Sequence, residues 1–94
     1  MSDIYYNFLK EIITFINETI DKFDEEKNYN YMDLKKNIQV FFKEKYNSIE
    51  INLNEAEKTQ ILGRYINIHL TINKSHRDNK NDYSYLKHQI NLIS

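Results

Sequence analysis

The chain has no cysteine, no proline and one glycine among its 94 residues. Without cysteine there can be no disulfide, no thiolate metal site and no cysteine nucleophile. With no proline, and Gly63 as the lone glycine, the chain lacks the turn residues that an all-β fold uses in number. Helices joined by short polar turns are therefore expected. A single glycine leaves no glycine-rich loop to cradle a phosphate, which excludes a P-loop or a Rossmann turn. No apolar run approaches the ~20 residues needed to cross a bilayer. Met1-Ser2-Asp3-Ile4 carries no basic patch ahead of an apolar stretch, so no signal peptide is expected. These absences point to a soluble protein of the cytoplasm, bacterial or host.

Neither sign of charge dominates: 13 bases face 14 acids, a net charge of −1. Dedicated nucleic-acid binders carry a clear basic excess, so the balance argues against one. The charges are unevenly placed, with seven acids and three bases in residues 1–30 and five bases and two acids in residues 61–94. Such a two-faced surface suits a protein partner or self-association, because complementary potentials steer docking. Two solvated faces with no further task would account for it equally. Asn, Ile, Lys and Tyr are abundant, and Lys outnumbers Arg eleven to two. AT-rich codons supply this mixture, which suggests an AT-rich bacterium, phage or virus as the source.

With 40% hydrophobic and 14% aromatic residues, a chain of this length can build one core, so residues 1–94 are read as a single domain. Tyr5, Phe8, Leu9, Ile12, Ile16, Ile20 and Phe23 recur at helical spacing and predict a helix over 3–23, with Ser2 as its cap. Asn30, with Asp33 three residues on, opens a second helix over 31–47 whose stripe is Leu34, Ile38, Phe41, Phe42 and Tyr46. Residues 49–54 and 66–73 alternate apolar and polar, as half-buried strands do. The competing reading caps a helix with Asn54 and Glu57 and runs it over 55–73, with Ile61, Leu62, Tyr65, Ile68 or His69, and Ile72 facing inward. Glu55-Ala56-Glu57-Lys58 is a poor strand and a good first helical turn, which favours the helix. Residues 74–81 read as a polar loop, and Asp82 can cap a last helix over 82–93. The expectation is thus a compact all-α four-helix domain. The alternative is an α+β fold with strands near 49–54 and 64–73.

Candidate chemistry is sparse. His69, His76 and His88 show no i, i+4 metal pair, and neither a metal nor a cofactor is expected. Arg64-Tyr65-Ile66-Asn67-Ile68-His69 fits R-x4-H on a predicted third helix. This resembles the catalytic motif of HEPN domains, helical proteins many of which are ribonucleases acting as dimers. The resemblance implies that Arg64 binds a phosphate and that His69 moves a proton, with no metal involved. Residues five apart on one helix lie about 140° from each other, so the two would have to combine across a dimer. The alternative is that His69 packs on an apolar face and Arg64 is a surface cation beside Glu57 or Gln60.

Tyrosine brings large contact area and a polar tip at low entropy cost, which suits binding surfaces as well as core margins. Tyr29, Tyr31, Tyr83 and Tyr85 have polar sequence neighbours and are the candidate contact surface. A two-fold homodimer is one way for such a domain to cover exposed Tyr- or Ile-rich surface. The functional expectation is a non-enzymatic module that binds another protein, of inhibitor, immunity, antitoxin or regulatory type. The ribonuclease built on Arg64 and His69 is the second reading.

Overall fold

The computed structural model describes residues 1–78 and 81–93, which form four α-helices: α1 (Asp3–Glu25), α2 (Tyr31–Ile49), α3 (Glu55–Asp78) and α4 (Ser84–Ile93). A 3₁₀ turn, Glu50–Asn52, follows α2. Each helix packs on its neighbour in chain order, and α4 closes the ring against α1. The result is an elongated up-down-up-down domain of 39 × 19 × 17 Å. The end where α1 hands over to α2 is called the upper end below.

The caps expected from sequence are made. The Ser2 side chain accepts from the Tyr5 amide and that of Asn30 from the Asp33 amide. At α3 the pairing is reciprocal, with the Glu57 amide donating to Asn54 Oδ1 at 2.8 Å and the Asn54 amide donating to Glu57 Oε1 at 3.0 Å. This is a complete capping box, which satisfies amides that the helix itself leaves unpaired. Just ahead of α4 the Asp82 carboxylate accepts from the Ser84 amide. Helix α1 ends with the Asn28 amide on the Phe23 carbonyl and the Lys27 amide on that of Asp24, and Lys27 sits at φ 53°. That is a Schellman ending with lysine in the left-handed position that glycine usually fills.

The core follows the predicted stripes closely. Tyr5, Phe8, Ile12, Ile16, Ile20 and Phe23 of α1 are buried, as are Leu34, Ile38 and Phe42 of α2 and Leu86 and Ile90 of α4. The α+β alternative is overturned. Residues 49–54 hold the end of α2, the 3₁₀ turn and a short link, with Ile51 91% exposed. Residues 64–73 lie inside α3. Their alternation is two i, i+4 ladders on one helix, with Ile68 and Ile72 turned inward and Ile66 and Leu70 outward. Leu62 belongs to the outward ladder, not to the expected core stripe. Helix α3 also runs to Asp78, past the loop expected from residue 74. The reason is tertiary: Ser75 is fully buried with its hydroxyl 3.3 Å from Tyr31 Oη, and the His76 ring stacks on Tyr31 at 4.8 Å.

Candidate functional site

The four tyrosines proposed as a contact surface do not form one. Tyr31 and Tyr83 are each 1% exposed and lie ring against ring, 5.1 Å apart, with the half-buried Tyr29 ring 5.1 Å from Tyr83. Tyr83 donates its hydroxyl hydrogen bond to the Asn28 carbonyl, and Tyr31 to that of Asp82. These bonds tie the α1–α2 turn to the start of α4, so the cluster is the upper plug of the core. Burial raises the ionisation of both phenols above the usual value, strongly for Tyr83, while the Ser75 hydrogen bond opposes part of the rise at Tyr31. Tyr85 is half-buried on α4. Polar sequence neighbours were a poor guide here, because those neighbours face solvent while the rings turn inward.

Arg64 and His69 also part company. The His69 ring packs edge-on against Tyr65 at 4.5 Å, and its Nε2 is buried with no hydrogen-bond partner. Burial, with Lys35 of α2 adding to it, holds its pKa below the ordinary value. Arg64 turns the other way, toward α4, where its Nη1 donates to the Ile93 carbonyl at 3.2 Å. The neighbour expected for Arg64 is engaged elsewhere: Glu57 accepts from the Ser2 amide at 2.8 Å and from the Ser2 hydroxyl at 2.6 Å. Within one chain, then, the R-x4-H pair does not assemble a joint site. Among the described residues no cluster of His, Asp or Glu is placed to hold a metal ion. No helix among them is long and apolar enough to cross a membrane.

Two other features stand out. On the outer face of α3, Leu62, Ile66 and Leu70 are 44%, 57% and 60% exposed, one helical turn apart. Around them Thr59, Gly63, Asn67 and Asn73 are exposed and uncharged. A Cβ added at Gly63 would meet nothing within 4 Å, so no contact within the chain explains a glycine there.

The second feature comes from unequal helix lengths. α1 and α3 have 23 and 24 residues and span about 35 Å, whereas the 10 residues of α4 span about 15 Å. Helix α4 descends beside α1, its Lys87 bonded to Asp21 and its Asn91 to Asn17, and its described residues reach the middle of the bundle. Between α1 and α3 lies a groove of about 360 Å³, lined by Tyr5, Tyr6, Phe8, Leu9, Lys10, Ile12 and Ile13 of α1, by Ile61, Arg64, Tyr65 and Ile68 of α3, and by Phe42 of α2 and Ile93 of α4.

Comparison with protein families, with curated proteins and with solved structures finds no match for this chain.

Sequence periodicity pointed at neither feature as a site. Helical periodicity places Leu62 in the core stripe, and it leaves Arg64 either paired with His69 by spacing or a surface cation beside Glu57 or Gln60. The signal that was present is the charge gap: between residues 59 and 73 the only Lys, Arg, Asp or Glu is Arg64, in a chain where 29% of residues are charged.

Proposed function

We propose that the protein acts by binding another protein, through the outward face of α3 and without catalysis. The observation that supports this reading is the exposed ladder of Leu62, Ile66 and Leu70, flanked by uncharged Thr59, Gly63 and Asn67, with Lys58 and Lys74 at its two ends and Lys35 on Asn73 at its rim. Interface centres are depleted of charged residues, and a contiguous apolar patch on a small domain marks a contact site more often than a solvated face. Gly63, beside Leu62 and Ile66, lets a partner helix approach the α3 backbone closely. The partner suited to this face presents an apolar helix that crosses α3 over Gly63. A small helical protein that works by occupancy in this way belongs with inhibitors, immunity proteins, antitoxins and regulators.

The test is co-purification from cells of the source organism with wild-type protein and the variants Ile66→Glu and Leu70→Glu. Both positions are exposed, so the fold should be retained and the thermal midpoint nearly unchanged. A specific partner should be lost with both variants and kept with Val40→Glu, a control at an exposed site on α2. If the sole species recovered is a dimer of the chain itself, and Ile66→Glu breaks it, the partner is a second copy. A partner that ignores both α3 variants would refute the proposal.

A further inference from the structure

The groove beneath α4 has a chemistry separate from the α3 docking face. Its walls are aliphatic and aromatic, and its charged side chains are Arg64 and Lys10. No Asp or Glu among the described residues lines it. Arg64 uses Nη1 on the Ile93 carbonyl, while its Nε is buried with no hydrogen-bond partner. No carboxylate lies within ion-pairing distance of the guanidinium among the described residues. A half-buried guanidinium that lines a groove with no carboxylate beside it is costly, and the group that pairs with it best is a carboxylate accepting two parallel hydrogen bonds. The adjoining space is apolar, so the remainder of such a ligand has to be apolar too.

We infer that the α1–α3 groove is a binding site for a small amphipathic carboxylate, a monocarboxylic acid with an aliphatic or aromatic tail of about eight to ten carbons. The carboxylate pairs with Arg64, and Lys10 at the mouth adds long-range attraction for the anion. The tail lies along Leu9 and Ile13 and reaches toward Ile61 past Phe42. At about 360 Å³ the groove is at the small end of ligand sites, which matches a single short chain and excludes a two-tailed lipid. Ligand and docking face sit on different sides of α3, so the inference stands whether or not a protein partner is found.

The experiment is calorimetric titration of the intact protein with sodium octanoate well below its micelle concentration, alongside octan-1-ol and octylammonium. Methyl NMR shifts of Ile13, Ile61 and Ile93 report the place of binding. Octanoate is expected to bind one to one with a submillimolar dissociation constant and to move those methyls. The alcohol should bind about tenfold or more weakly, and the ammonium still more weakly. Arg64→Gln should weaken octanoate by a similar factor while leaving the circular dichroism unchanged, because it removes one hydrogen bond to the end of α4. Equal affinity for octanoate and octanol, or octanoate binding indifferent to Arg64→Gln, would show an apolar crevice with no anion site. Absence of saturable binding up to millimolar octanoate would likewise overturn the inference.

Discussion

The upper and lower halves of this bundle are held shut by different means. In the upper half four helices surround the core, and the rings of Tyr29, Tyr31 and Tyr83 plug its end, the Tyr31 and Tyr83 hydroxyls reaching backbone carbonyls. In the lower half three helices do the work, and the end is clasped by one carboxylate, Glu57, gripping Ser2 at the start of α1. The upper closure is aromatic burial and the lower one is charge-assisted hydrogen bonding. The lower half is no less aromatic inside, with Phe8 against Phe42 and Phe42 stacked on Tyr65 at 3.9 Å, so the contrast lies in how each end is closed.

The sharpest way to break this contrast is to remove the upper plug. Tyr83→Ala should cost about 3–5 kcal/mol, because it empties a fully buried aromatic site. Urea unfolding would measure it, and a loss under 1 kcal/mol would mean that the plug is not structural. Tyr83→Phe keeps the ring and leaves the Asn28 carbonyl without its donor, so about 1–2 kcal/mol is expected.

Titration separates the halves from opposite directions. Glu57 is held below its ordinary value of 4.5, chiefly by the Ser2 hydroxyl hydrogen bond and then by the Asn54 and Ser2 amides. Folded protein thus binds that proton more weakly than the unfolded chain. The contribution of the clasp is complete above pH 4.5 and is lost as pH falls through the lowered value. Tyr83 is raised above its ordinary 10.0, so its contribution is complete below pH 10 and is lost as pH climbs toward the raised value. Thermal midpoints across pH should show an acid limb removed by Glu57→Gln and an alkaline limb reduced by Tyr83→Phe. Limbs that survive both substitutions would detach them from these residues.

Smaller effects are expected at two backbone positions. Lys27→Gly should stabilise by about 1 kcal/mol, because φ 53° strains a residue with a Cβ. Gly63→Ala should stabilise by a similar or slightly smaller amount, about 0.5–1 kcal/mol, since the added methyl meets open space in mid-helix. It should at the same time weaken docking on α3, and that divergence is the informative outcome. A Gly63→Ala protein that is both more stable and equally well bound would remove the glycine from the interface.

Much of the fold was legible in the sequence, because it is written locally. The α1 stripe from Tyr5 to Phe23 and the caps at Ser2, Asn30 and Asn54 involve residues within a turn or two of each other. The candidate site was far less legible. Tyr31 and Tyr83 are 52 positions apart, and nothing near either one shows that they share a core. Alternation over 66–73 suits a strand as well as a helix until a core is present to select one face. The groove arises from a difference in length between helices distant in sequence, so no single segment announces it. Arg64 stands out in the sequence by its spacing from His69, whereas its surroundings come from α1 and from Ile93 of α4, both distant in sequence.

The shortness of α4 also bears on how the chain folds and opens. Helices α1, α2 and α3 each meet their chain neighbour first, and such local pairings close quickly, on a microsecond-to-millisecond scale in helical domains. With no proline in the chain, no slow prolyl isomerisation interrupts that course. Helix α4 is the shortest of the four; it packs on its chain neighbour α3 and also on α1, and its bonds to Asp21 and Asn17 span 66 and 74 residues. In hydrogen exchange the amides of 84–93 should open well below the global unfolding free energy, and each opening would extend the lower groove upward along the whole α1–α3 seam.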